Sequence, residues 1–167
     1  MRRRLSVCFL LIALCGCIAG RYEPEDIGIK WQIPQRLEDY RELKRENYEV
    51  FREIDLDTLA NILNEGKTCY LLLSYPDCEN CQSAIDDIAF YARKKNEAVY
   101  YLDLLACLAD KESYERALSL LEPVLRTNAE GEKRVYTPEL IEIRDGAFDR
   151  YFIGVGKEEL KEMFGDR

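Results

Sequence analysis

Two cysteines separated by two residues, Cys78-Glu79-Asn80-Cys81, carry the first chemistry this sequence offers. Thiols at this spacing can close a short disulfide and reopen it when an outside thiolate attacks. The pair follows the apolar run Cys69 to Tyr75 and precedes a helix-like stretch from Gln82 to Lys95. A strand ending in a loop that opens into a helix sets Cys78 at a helix N-terminus. Unpaired N–H groups and the positive end of the dipole there favour the thiolate over the thiol. Position and spacing together point to redox chemistry.

Other chemistries are closed off by what is absent. The chain contains no histidine, which removes Ser-His and Cys-His catalysis and His-assisted copper binding. Of its 7 cysteines, Cys8, Cys15 and Cys17 lie near the N-terminus, leaving Cys69, Cys78, Cys81 and Cys107 in the body of the chain. No second CxxC completes a four-thiolate zinc site, so neither a metal nor an organic cofactor is expected. Outside the cytosol a Cys78–Cys81 disulfide is permitted and can be structural as well as catalytic.

The N-terminus sets the expected compartment. Met1-Arg-Arg-Arg4 is a positive n-region, Leu5 to Leu14 is apolar, and the chain turns polar at Gly20-Arg21. Residues 1–20 therefore read as a signal peptide, too short to span a bilayer comfortably. Leu14-Cys15-Gly16-Cys17 resembles a bacterial lipobox, with Cys17 the lipidation candidate because small Gly16 precedes it. An unlipidated signal peptide and an uncleaved anchor are the alternatives. Lipidation would hold the protein at the cell membrane, on its extracytoplasmic face. A net charge of −8 argues against nucleic acid and against an anionic membrane surface as electrostatic partners.

Elements must position the cysteines. Residues 21–47 read as a tether with breakers Pro24, Gly28 and Pro34, followed by a charged helix from Arg36 to Asn47 with a narrow apolar stripe. The domain expected over 48–167 starts with a strand from Tyr48 to Ile54. Asp57 is the expected cap of a helix from Thr58 to Asn64, and Thr68 to Ser74 reads as a central strand. Beyond the CxxC helix come a strand from Ala98 to Leu104 and a helix from Asp110 to about Arg126 that Pro123 kinks or ends. Asn128 to Lys133 is a polar turn. A hairpin around Asp145-Gly146 and a helix from Lys157 to Phe164 close the chain. Alternating strands and helices predict a mainly parallel sheet with an antiparallel edge.

Three landmarks make residues 48–167 resemble the thioredoxin-like superfamily: the CxxC at a strand-to-helix junction, Tyr136-Thr137-Pro138 before the penultimate strand, and the closing hairpin, Gly154 and helix. With the N-terminal signal, the chain looks like an extracytoplasmic bacterial lipoprotein of this kind. Its general layout also resembles the thioredoxin-like accessory proteins linked to bacteriocin export. The fold implied is α/β, a central mixed sheet flanked by helices, here with an N-terminal helical extension. By the resemblance Cys78 would be the attacking thiol and Cys81 the resolving one. Pro138 would be cis and lie against the disulfide, while Thr137, with Tyr136 beside it, would dock substrate. Read without the resemblance, Pro138 is an ordinary strand-start proline.

The chain departs from the common pattern at several positions. Asp77 stands where thioredoxins carry Trp, Glu79-Asn80 replaces Gly-Pro, and Leu72 stands where a buried acid serves proton transfer. A water, Asp77 or Glu79 would then have to move the proton. Asp77 and Glu79 flank Cys78, oppose the helix dipole and should raise its pKa, favouring a reductant or isomerase-like role over an oxidase role. Expected partners are secreted or membrane proteins with disulfides, or a redox donor protein. Cys69 reads as a buried apolar residue, and Cys107 lies at the CxxC end of the sheet. The competing reading is a redox-inactive binding module with a structural Cys78–Cys81 disulfide.

Overall fold

The computed structural model describes residues 22–32 and 36–165. The expected signal peptide, its lipobox and Cys17 lie outside the described residues.

Five strands form one mixed sheet: β1 (Phe51–Glu53), β2 (Cys69–Ser74), β3 (Val99–Asp103), β6 (Glu139–Arg144) and β7 (Ala147–Ile153), in the order β1-β3-β2-β6-β7. β1 and β2 each run parallel to β3, whereas β6 is antiparallel to both β2 and β7. Two short strands, β4 (Arg126–Thr127) and β5 (Lys133–Arg134), pair as a separate ribbon. The helices are α1 (Leu56–Asn64), α2 (Glu79–Lys94), α3 (Leu104–Cys107), α4 (Lys111–Leu120) and α5 (Lys157–Phe164). The mixed sheet flanked by helices is the fold class expected from the sequence. Among the described residues no helix is long and apolar enough to cross a membrane.

Period-two alternation along the central strand explains the two cores. Leu71 and Leu73 face α1 and α4, whereas Leu72 faces the opposite layer with α2 and α5. Both faces of β2 are therefore covered, which is why its sequence is a continuous apolar run rather than an alternating one. The tight β6–β7 turn places Asp145 at φ 51° and Gly146 at φ 75°. A Cβ at residue 146 would collide with the Leu63 carbonyl oxygen, so glycine is required there twice over.

Several boundaries differ from expectation. Arg36 to Asn47 is not one helix but two 3-10 segments, Leu37–Asp39 and Arg45–Val50, the second running into β1. These segments are integral to the core: Leu37, Tyr40, Leu43 and Val50 are all buried. The cap of α1 is Asp55, whose carboxylate accepts the Thr58 N–H at 2.7 Å, while Asp57 lies in the first turn and pairs with Arg116. The helix expected to about Arg126 stops at Leu120. A 3-10 turn, Glu122–Val124, follows around Pro123, which has no N–H for a helical bond. The expected polar turn is the tip of the β4–β5 ribbon, closed by Asn128 Oδ1 accepting the N–H groups of Glu130 and Glu132.

Candidate active site

β2 ends at Ser74, and Tyr75-Pro76-Asp77 carries the chain to the start of α2. Cys78 is the N-cap of α2, with extended backbone at φ −85° and ψ 117°. Its Sγ accepts the Cys81 N–H at 3.2 Å, and its carbonyl accepts the Gln82 N–H at 3.0 Å. A helix-terminal N–H thus points at the sulfur where a thiolate would form, which stabilises that charge. Cys78 and Cys81 are joined as a disulfide, with Cα atoms 5.1 Å apart. Cys78 is 9% exposed and Cys81 only 1%, so Cys78 is the less deeply buried of the pair.

The loop before β6 closes over this pair. The Thr137–Pro138 peptide bond is cis. The Thr137 hydroxyl donates to Cys78 Sγ at 3.4 Å, and the Thr137 carbonyl oxygen lies 3.7 Å from the same sulfur. Pro138 is buried, while Tyr136 is exposed. Cys78, Thr137 and Pro138, distant in sequence, are brought to one place, with Tyr136 on its solvent side.

Asp77, Glu79 and Asn80 are all exposed beside Cys78. Leu72 is fully buried in the same apolar cluster as Cys81. That face of the sheet also holds a hydroxyl group of three: Tyr40 Oη lies 2.6 Å from Ser74 Oγ and 3.2 Å from Tyr101 Oη. Burial pushes the Tyr40 phenol up to about 12, so it stays protonated and offers no base at neutral pH.

Sequence reading missed the residues that fasten the N-terminal segment to this site. The Gln82 amide donates to the carbonyls of Pro76 at 2.6 Å and Asp39 at 2.8 Å, and its oxygen accepts the Arg41 N–H at 2.8 Å. Arg36 donates to Asp77 at 3.3 Å across 41 residues of sequence. Gln82 directly after the CxxC is a detectable signal, a polar residue on an otherwise apolar helix face. Arg36 carries none, because nothing in a sequence pairs it with Asp77.

Cys69 and Cys107 are free and buried. Burial pushes each thiol up to about 12, which keeps both protonated and unreactive at neutral pH. The ladder aligning Ser74 with Asp103 sets Cys69 and Cys107 at opposite ends of the sheet. Among the described residues no cluster of Cys, Asp or Glu could hold a metal ion. A cleft of about 720 Å³ opens beside Thr137, lined by Tyr75, Leu104, Leu108, Tyr114 and Val135 among others.

The strand order, the CxxC at the head of α2 and the cis proline against it together define a thioredoxin-like fold. No protein-family model matches the chain, and no curated protein matches it. Among solved structures it is similar to thioredoxin O2 from Arabidopsis thaliana in its oxidized state. That likeness has 15% sequence identity and a TM-score of 0.48, covering 68% of this chain and 90% of that one.

Proposed function

We propose that this chain is a thiol-disulfide oxidoreductase, tethered by lipidated Cys17 to the extracytoplasmic face of the cell membrane and acting as a reductant or isomerase. The observation that carries the reading is the Cys78 sulfur, hydrogen-bonded by the Cys81 N–H and lying against Thr137, with Cys81 the more deeply buried of the pair. The Cys78 thiolate attacks a substrate disulfide; a mixed disulfide forms and one substrate thiolate leaves. Cys81 then attacks Cys78 Sγ, the second substrate sulfur leaves as a thiolate, and the Cys78–Cys81 disulfide forms. The substrate gains two electrons and this chain loses two, so a dithiol donor must reduce the pair again. The substrate is a polypeptide: the Thr137 backbone can pair with an extended chain, and the cleft beside it, part apolar and part charged through Glu132, Lys133 and Arg134, takes side chains flanking the substrate cysteine. Secreted and membrane proteins carrying disulfides fit this chemistry.

A Cys81→Ser variant tests the reading. It should accumulate mixed disulfides through Cys78, detected as thiol-sensitive adducts; their absence would sink it. Leu72, in the apolar cluster that holds Cys81, favours a second reading, a binding module with a permanent disulfide, because an apolar side chain stands where an acid could deprotonate the resolving thiol. A reduction potential below about −300 mV with slow exchange would mark that alternative.

A further inference from the structure

Arg36 gathers three carboxylates at the end of the sheet that carries the disulfide. Its Nε donates to Asp39 Oδ2 at 3.0 Å and one terminal nitrogen to Asp77 Oδ2 at 3.3 Å. The other terminal nitrogen lies 3.8 Å from Asp103 Oδ2. Asp103 is nearly fully buried, and its other oxygen caps α3 by accepting the Leu105 N–H at 2.9 Å. Asp77 immediately precedes Cys78, and Asp103 is aligned with Ser74 where β2 leaves the sheet.

We propose that Arg36 is a positioning residue for the Cys78 nucleophile, holding the adjacent Asp77 carboxylate in an ion pair so that its charge is offset where the thiolate forms. The inference rests on the redox reading of the Cys78–Cys81 pair. A like charge beside an ionising thiol disfavours the thiolate, and an opposite charge relieves that penalty.

The guanidinium is held in place by more than its own ion pairs. Gln82, in the first turn of α2, grips the segment through the Asp39 carbonyl and the Arg41 N–H, and the same amide binds the Pro76 carbonyl of the active-site loop. Tyr40 anchors the segment from below through Ser74. Arg36 therefore arrives at Asp77 on a braced strap rather than on a loose tether.

The other groups around Cys78 bound what Arg36 can do. On its own segment stand Asp77 and Glu79; on the strap, Arg36 and Asp39; at the end of β3, Asp103. The opposing loop offers Tyr136 and Thr137, the β4–β5 ribbon leading into it brings Glu132, Lys133 and Arg134 to the cleft beside Thr137, and the core below holds Tyr40 and Tyr101. Arg36 is the cation paired with Asp77, which adjoins Cys78 on one side as Glu79 does on the other.

The test is the pH dependence of iodoacetamide alkylation at Cys78 in the reduced full chain, with the labelled cysteine identified by mass spectrometry. Arg36→Gln should move the midpoint upward, leaving about threefold less thiolate at a fixed pH below it, a shift expected of one partly exposed charge. Asp77→Asn should move the midpoint down, and Arg36→Lys should restore most of the wild-type value. In the Asp77→Asn background the Arg36→Gln shift should shrink by half or more. An unmoved midpoint in Arg36→Gln overturns the proposal, as does a shift of equal size with and without Asp77. Should Arg36→Gln fail to fold, Asp77→Asn decides alone: a midpoint that does not fall overturns it. Alkylation does not require catalysis, so a structural disulfide would show itself separately, through slow exchange and a low potential.

Discussion

Glu139 combines full burial with two carboxylate oxygens that meet no hydrogen-bond donor among the described residues. It sits one residue after Pro138 and is aligned with Leu73, so it lies on the α1 and α4 face, away from the disulfide. Burial pushes its carboxyl up from 4.5 to about 7, an effect that Arg126 only partly offsets. The folded chain therefore holds this proton more tightly than the unfolded chain does. Stability is fully present below the unfolded value of 4.5 and declines as pH rises towards about 7, by about 3 kcal/mol in all. Glu139→Gln should flatten that decline, read from urea denaturation at pH 5, 6, 7 and 8. A variant that keeps the wild-type slope would remove Glu139 as its source. Only an acid opening the strand Glu139-Leu-Ile-Glu-Ile143 was visible in the sequence. Its lack of a partner was not, because partnership depends on which residues fold over that face.

At the scale of elements, the caps and the turn carry the sharpest expectations. Asp55 holds the first turn of α1 through the Thr58 N–H, whereas Asp57 makes only a surface pair with Arg116. Asp55→Ala should destabilise the fold by about 1 kcal/mol and Asp57→Ala by less than about 0.5 kcal/mol, measured as shifts in the chemical midpoint. Equal effects would contradict the assignment of the cap. The sequence reading put the cap at Asp57, and the backbone geometry moves it two residues earlier to Asp55. The Asp145-Gly146 turn was legible outright, since left-handed backbone at both positions narrows the residue choice. Gly146→Ala should cost about 1–3 kcal/mol, from positive φ and from collision with Leu63. A thermal midpoint unchanged within a degree would refute that.

Across the whole molecule, the segment before β1 behaves as part of the domain. Leu37, Tyr40 and Leu43 are buried in the cluster that also holds Cys78 and Cys81. Their removal would forfeit about 5 kcal/mol of apolar burial, comparable to the total stability of a small domain. A chain starting at residue 48 should therefore lose its cooperative thermal transition; a fragment melting within a few degrees of the full chain would show the segment to be dispensable. By itself, the sequence determined the CxxC pair, its place at a helix start, the alternation of strands and helices, and the closing hairpin. These follow from local rules of spacing, periodicity and turn chemistry. Tertiary structure alone decided that Thr137 meets Cys78, that Gln82 and Arg36 tie the N-terminal strap to the loop before Cys78, and that Glu139 is buried with no hydrogen-bond donor among the described residues. Each of these joins or isolates residues far apart in the chain, and such pairings are set by how the layers pack rather than by any local pattern of residues.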